Sequence, residues 1–118
     1  MLTNFGKALR KIRIEHEVTL GELGERLGCT ASFISALETG KKAVPPNFLN
    51  DIATELKLAI KEQIELTQAA ALQVKEVSLG LNNRSDKAKE LAVAFARRFE
   101  TMSEEEIART LKIFHSTP

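Results

Sequence analysis

The sequence predicts an all-α protein made of five short helices followed by a helical hairpin. Two observations carry the prediction. Apolar residues recur at three- and four-residue steps from end to end, with no alternating strand of useful length. Residues that start and stop helices punctuate this periodicity at short intervals. Thr3 or Asn4 can cap a first helix that runs to about Glu15, with Phe5, Leu9, Ile12 and His16 on one stripe and Lys7 and Lys11 outside. Thr19 and Glu22 form a capping box, in which the hydroxyl takes one free amide and the carboxylate takes another. The helix they begin is anchored by Leu20, Leu23 and Leu27 and ends at Gly28. Thr30 caps a third helix that carries Phe33, Ile34 and Leu37 and stops at Gly40.

Pro45 and Pro46 then break the chain, and Pro46 or Asn47 can open a fourth helix with Phe48, Leu49, Ile52, Ala53 and Leu56 inward. A fifth helix, from about Ile60 to Gln73, presents Ile64, Ala71 and Leu72. Val74 to Leu79 alternates weakly and is compatible with extended backbone, and Gly80, Asn82, Asn83 and Ser85 supply turn chemistry. Ser85 caps a sixth helix with Ala88, Leu91, Phe95 and Phe99 on one face. Ser103 and Glu106 form a second capping box, and the helix that follows carries Ile107, Leu111 and Phe114. Leu91, Phe95, Phe99, Ile107, Leu111 and Phe114 are more apolar surface than two helices can cover, so this hairpin is expected to form a homodimer.

Composition narrows the chemistry. With 118 residues, 43% hydrophobic and 28% charged, the chain reads as a soluble folded protein and not a disordered one. No apolar run approaches the roughly 18 residues of a membrane span, and no secretory leader follows Met1, which gives a cytoplasmic expectation with no membrane partner. One cysteine, Cys29, excludes an internal disulfide, and two widely separated histidines make no metal site with it. No metal or other cofactor is expected. The chain lacks a phosphate-cradling glycine loop and a nucleophile with a histidine base, so no catalytic residue is expected either. Glu104, Glu105 and Glu106 are accounted for by the dipole of the helix they begin. A net charge of +1 gives no global attraction to nucleic acid, and basic character is local: Lys7, Arg10, Lys11 and Arg13 occur with no acid among them, and Lys41 and Lys42 form a second spot.

The stretch TLGELGERLGCTASFISALETGKK resembles the helix-turn-helix of the lambda-repressor-like, xenobiotic-response-element family of transcriptional regulators. The resemblance covers about Phe5 to Leu58. It implies that the second and third helices cross at a fixed angle and that the third, between Thr30 and Thr39, enters the major groove of double-stranded DNA. Gly24 holds the close-approach position, where the family usually has alanine, and Cys29 holds a small apolar one. Arg13 and Glu38 stand where the family has a bracing ion pair.

The same resemblance assigns direct base reading to Ala31, Ser32, Phe33, Ser35 and Ala36. Phosphate contacts fall to Thr19, Thr30, Thr39, Lys41, Lys42 and Asn47. The base-facing set holds no Arg, Lys, Asn or Gln, so hydrogen-bond discrimination should be modest, and thymine methyls, DNA shape and half-site spacing should carry specificity. Phe33 has two readings open, a thymine methyl or the region of the fourth helix.

The organisation expected is therefore a DNA-binding domain over 1–73, a linker over 74–84 and a dimerisation region over 85–118. The function implied is a sequence-specific repressor that binds a two-fold symmetric operator as a homodimer. Two alternatives remain: an antitoxin or adaptor whose C-terminal region holds another protein while DNA binding serves autoregulation, and an interaction module that kept the fold without reading DNA.

Overall fold

A computed structural model describes residues 1–116 as seven α-helices, with no strand among the described residues. They are α1 (Asn4–Glu15), α2 (Leu20–Leu27), α3 (Ala31–Glu38), α4 (Pro46–Glu55), α5 (Ile60–Ala71), α6 (Asp86–Phe99) and α7 (Glu104–His115). Two compact units result, one over Met1–Lys75 and one from Glu76 onward. Among the described residues, no helix is long and apolar enough to cross a membrane.

Each helix starts where local chemistry supplies partners for its free amides. The Thr3 hydroxyl accepts from the Gly6 amide at 3.0 Å, and Thr30 accepts from Phe33 at 3.0 Å. Thr19 accepts from Glu22 at 3.1 Å while the Glu22 carboxylate accepts from the Thr19 amide at 3.2 Å, closing the box. α4 opens on Pro46 at its first position, without a side-chain cap.

The first unit holds a single core. Phe5, Leu9, Leu23, Ile34, Leu37, Ile52 and Leu66 are its largest fully enclosed side chains. α5 corrects one expectation. Its inward residues are Leu66 and Ala70, whereas Ile64 is half-buried, Ala71 is exposed and Leu72 is 73% exposed. The alanine run over 69–71 offers no contrast between faces, so the phase of the stripe is set by where α5 lies against α1 and α4.

Helix ends add two core residues that periodicity did not mark. Glu17 (φ 54°) and Lys57 (φ 51°) both take the left-handed conformation just beyond α1 and α4. The next amides turn back, Val18 to the Arg13 carbonyl at 2.8 Å and Leu58 to the Ala53 carbonyl at 3.0 Å, and both apolar side chains are buried. This is the Schellman ending, with a non-glycine residue at the left-handed position at a cost of about 1–2 kcal/mol. Lys57 is exposed, so Lys57→Gly should raise stability by up to about 1 kcal/mol, read as a higher urea midpoint at unchanged slope.

α1 and α5 are also joined by His16, whose Nε2 lies 3.0 Å from Glu62 Oε2. His16 therefore ends the α1 stripe with a polar contact and not as core. Burial pushes the Glu62 carboxyl up, but the Ala59 amide and the hydrogen bond and charge of His16 outweigh it, leaving the net shift below the usual carboxylate value. A lowered folded-state pKa gives stability that is complete above the unfolded value of about 4.3 and is lost as pH falls through the folded one. Glu62→Gln should accordingly flatten the decline in urea midpoint between pH 6 and pH 3 relative to the parent chain. An unchanged decline would remove Glu62 from the acid response.

In the second unit Ser85 caps α6 through the Ala88 amide at 3.1 Å, and Ser103 and Glu106 form the capping box of α7. Glu106 also accepts from Arg98 at 2.8 Å, tying α7 to the end of α6. The Ser103 amide first, and Arg98 second, hold the Glu106 carboxyl down at about 2. Residues 74–79 are exposed and form no strand. The expected inner faces of the hairpin are largely uncovered: Ile107 is half-buried, Leu91 is 67% exposed, Phe114 is 61% exposed, and Phe95, Phe99 and Leu111 are also exposed. Neither α6 nor α7 contains a fully buried residue.

Candidate nucleic-acid interface

α2, the turn at 28–30 and α3 form the part of the first unit that presents a helix outward. The turn is tight for a local reason. Gly28 (φ 72°) closes α2 in the left-handed conformation, and the Cys29 amide bonds back to the Gly24 carbonyl at 2.8 Å. A Cβ on Gly24 would lie 2.7 Å from the Cys29 carbonyl oxygen, so the backbones here are closer than alanine permits. Cys29 is half-buried against the core, and burial raises its thiol pKa, which disfavours the nucleophilic thiolate.

α3 is held at both ends. Leu23, Ile34 and Leu37 share the buried cluster beneath it. At its C-terminus Arg13 grips Glu38 in a fork, Nε to Oε2 at 2.9 Å and Nη2 to Oε1 at 3.2 Å. Glu38 is only 3% exposed. Its carbonyl is occupied as well, accepting from both the amide and the hydroxyl of Thr3 at 3.0 Å. One residue thus ties the end of α3 to both ends of α1. The brace also settles a charge question: of the four cations Lys7, Arg10, Lys11 and Arg13, the last is structural and the other three are exposed on α1.

The structure distributes the expected base-facing residues unevenly. Ala31 and Ser32, in the first turn of α3, are exposed, whereas Phe33, Ser35 and Ala36 are half-buried. Phe33 rests against Phe48 of α4 with ring centroids 5.8 Å apart, and the Lys42 ammonium lies 5.7 Å from the centroid of the Phe33 ring. Its aromatic face is therefore engaged within the protein. The Ala36 carbonyl accepts from the amides of Lys41 and Lys42, which folds the basic loop back onto the end of α3.

Among the expected phosphate contacts, Thr19, Thr30, Lys41, Lys42 and Asn47 are exposed. Thr19 and Thr30 use their oxygens as cap acceptors and keep a hydroxyl proton that can be donated outward. Thr39 is half-buried and donates its proton to the Ser35 carbonyl at 2.9 Å, so it has none left for a phosphate in this conformation. Asn47 lies in the first turn of α4, whose uncapped amides suit an anion. Two contributors escaped sequence reading. Thr3 fastens α1 to α3 in addition to its capping role, and Gly6 allows that contact. Thr3 reads locally as a cap, and no local pattern reports its bond to residue 38.

Comparison with known proteins agrees with this geometry. The family model described as a helix-turn-helix domain matches residues 4–66, from the first residue of α1 into α5. The HTH-type transcriptional repressor RghR of Bacillus subtilis (strain 168) is 36% identical over 58 residues, which are 48% of this chain and 43% of that protein. The match thus spans less than half of that relative's length. No solved structure matches the chain. With an outward α3, a braced scaffold and a family match over more than half its residues, the chain belongs to the lambda-repressor-like, xenobiotic-response-element type of helix-turn-helix transcriptional regulators.

Proposed function

We propose that this regulator is a repressor that binds a two-fold symmetric operator as a homodimer, with α3 in the major groove and residues 85–118 as the dimerisation region. The observation that carries the reading is the placement of α3: its first turn exposes Ala31 and Ser32, while its far end is fixed by Arg13, Glu38 and Thr3. A helix so held presents its N-terminal residues to base edges in fixed register. Lys41, Lys42 and the start of α4 supply backbone contacts, and the repressor name of the relative supports repression. Ser32 can bond to several bases and Ala31 can meet a thymine methyl, so base discrimination by α3 is modest. DNA deformability and the separation of two half-sites carry the remainder.

Selection of bound duplexes from a random pool tests this. Recovered sites should be inverted repeats with weak preference within each half. A pool that yields no enrichment at low salt would end the reading. On a recovered site, the logarithm of affinity should fall linearly with the logarithm of salt, and Lys41→Ala and Lys42→Ala should each reduce that slope by about one. Lysines that leave the slope unchanged do not touch phosphate.

A further inference from the structure

The homodimer reading leaves open how two copies meet, and α6 carries the information. Ala88, Ala92, Phe95 and Phe99 fall on one line of this helix, small at the N-terminal end and large at the C-terminal end. Over the small end lies an apolar cleft of about 450 Å³, lined by Ala88, Leu91, Ala92 and the near side of Phe95 on α6 and by Leu79, Leu81 and Phe114. At the large end Phe95 and Phe99 are exposed, with ring centroids 5.5 Å apart. The second unit thus carries both a hollow and the aromatic side chains to fill one.

We infer that α6 packs antiparallel against α6 of a second copy about a two-fold axis near residues 93 and 94, each copy inserting Phe95 and Phe99 into the cleft over the other's Ala92 and Ala88. The arrangement rests on the homodimer reading. Antiparallel pairing sets every large residue of the stripe against a small one, whereas parallel pairing crowds four phenylalanines at one end and leaves the clefts empty at the other. An isologous contact needs self-complementary charge, and α6 has it. Lys89 and Glu100 lie on the same side of the stripe, so Lys89 of one copy comes beside Glu100 of the other, twice. On the opposite side Lys87 of one copy comes beside Arg98 of the other, and the Arg98 charge there is already neutralised within its own copy by Glu106. The chain from Glu76 on carries as many acids as bases, so two copies meet without net repulsion. The pairing also supplies cover for helices that bury no residue alone.

Sedimentation equilibrium on the full chain and its variants decides the matter. Ala88→Phe fills the cleft and Phe99→Ala removes the insert, and each should raise the dimer Kd by about tenfold or more. The combined Ala88→Phe/Phe99→Ala chain restores a large residue opposite a small one and should return to within about threefold of the parent. The exposed pair gives an arm that leaves packing alone: Lys89→Glu should weaken the dimer, and Lys89→Glu/Glu100→Lys should restore it. A parent that dimerises while single variants have no effect, or while neither double variant recovers, overturns the antiparallel pairing and leaves the homodimer standing. A parent that stays monomeric at every concentration overturns both and gives the cleft to an unrelated helix or small apolar ligand.

Discussion

Glu38→Ala should cost about 3–5 kcal/mol of folding stability, a large share of the roughly 5–15 kcal/mol that a domain possesses. The carboxylate is almost wholly enclosed and meets the Arg13 guanidinium at two points. Removing it leaves Arg13, whose side chain is only 12% exposed, with a charge and most of its donors unanswered except for a 3.5 Å contact to the Val18 carbonyl. The penalty is that of an unpaired buried charge, which exceeds the net worth of the pair itself. Two further chains separate those quantities. Glu38→Gln keeps the shape and one acceptor and should lie between the parent and Glu38→Ala. Arg13→Met/Glu38→Leu removes both charges and should recover most of the loss. Urea denaturation of the four chains measures the cycle. A loss under about 1 kcal/mol for Glu38→Ala would mean that the pair is solvated and braces nothing. DNA affinity should fall further than the unfolded fraction explains, because the end of α3 is freed from α1.

What sequence could report follows the range of the interactions. Caps were readable because each is a bond between residues three apart, so Thr3, Thr19, Thr30, Ser85 and Ser103 announce themselves, as does Pro46 at the start of α4. Arg13 and Glu38 were paired only through the family resemblance, since nothing local joins residues 25 apart. Val18 and Leu58 were missed because the left-handed residues before them are Glu17 and Lys57, which lack the glycine that normally marks such an ending. An apolar residue three places beyond each helix end is the signal available. In α5 the sequence presents Ile64, Ala71 and Leu72, and the alanine run over 69–71 carries no contrast that would correct the phase. At the interface, the family resemblance assigns five residues of α3 to the bases but does not say that Phe33 leans on Phe48, nor that Thr39 donates its proton to the Ser35 carbonyl. Those depend on partners met only after folding.

Gly6→Ala is the second substitution expected to do severe damage, against what helix propensity alone suggests. Within α1 that exchange should gain about 1 kcal/mol, because alanine is the better helix former. The site reverses the sign. A Cβ on Gly6 would stand 2.0 Å from the Glu38 carbonyl oxygen and 2.8 Å from its carbonyl carbon, atoms of the backbone that no rotamer can withdraw. Relief requires α1 to move away from the end of α3, which breaks the two Thr3 bonds to that same oxygen and pulls on the Arg13 fork. Overpacking in a core costs about 1–3 kcal/mol where side chains can adjust, and here the neighbour is main chain, so the net loss should reach about 3 kcal/mol or more. Gly21→Ala is the matched control. It lies in the first turn of α2, where the nearest atom to a new Cβ is Thr19 Oγ1 at 3.9 Å, and it should be neutral or stabilising by up to about 1 kcal/mol. Thermal melts should therefore place Gly6→Ala below the parent and Gly21→Ala at or above it. If Gly6→Ala melts at or above the parent, α1 and α3 are not in contact at this carbonyl, and the three-way junction of Thr3, Arg13 and Glu38 loses its physical basis.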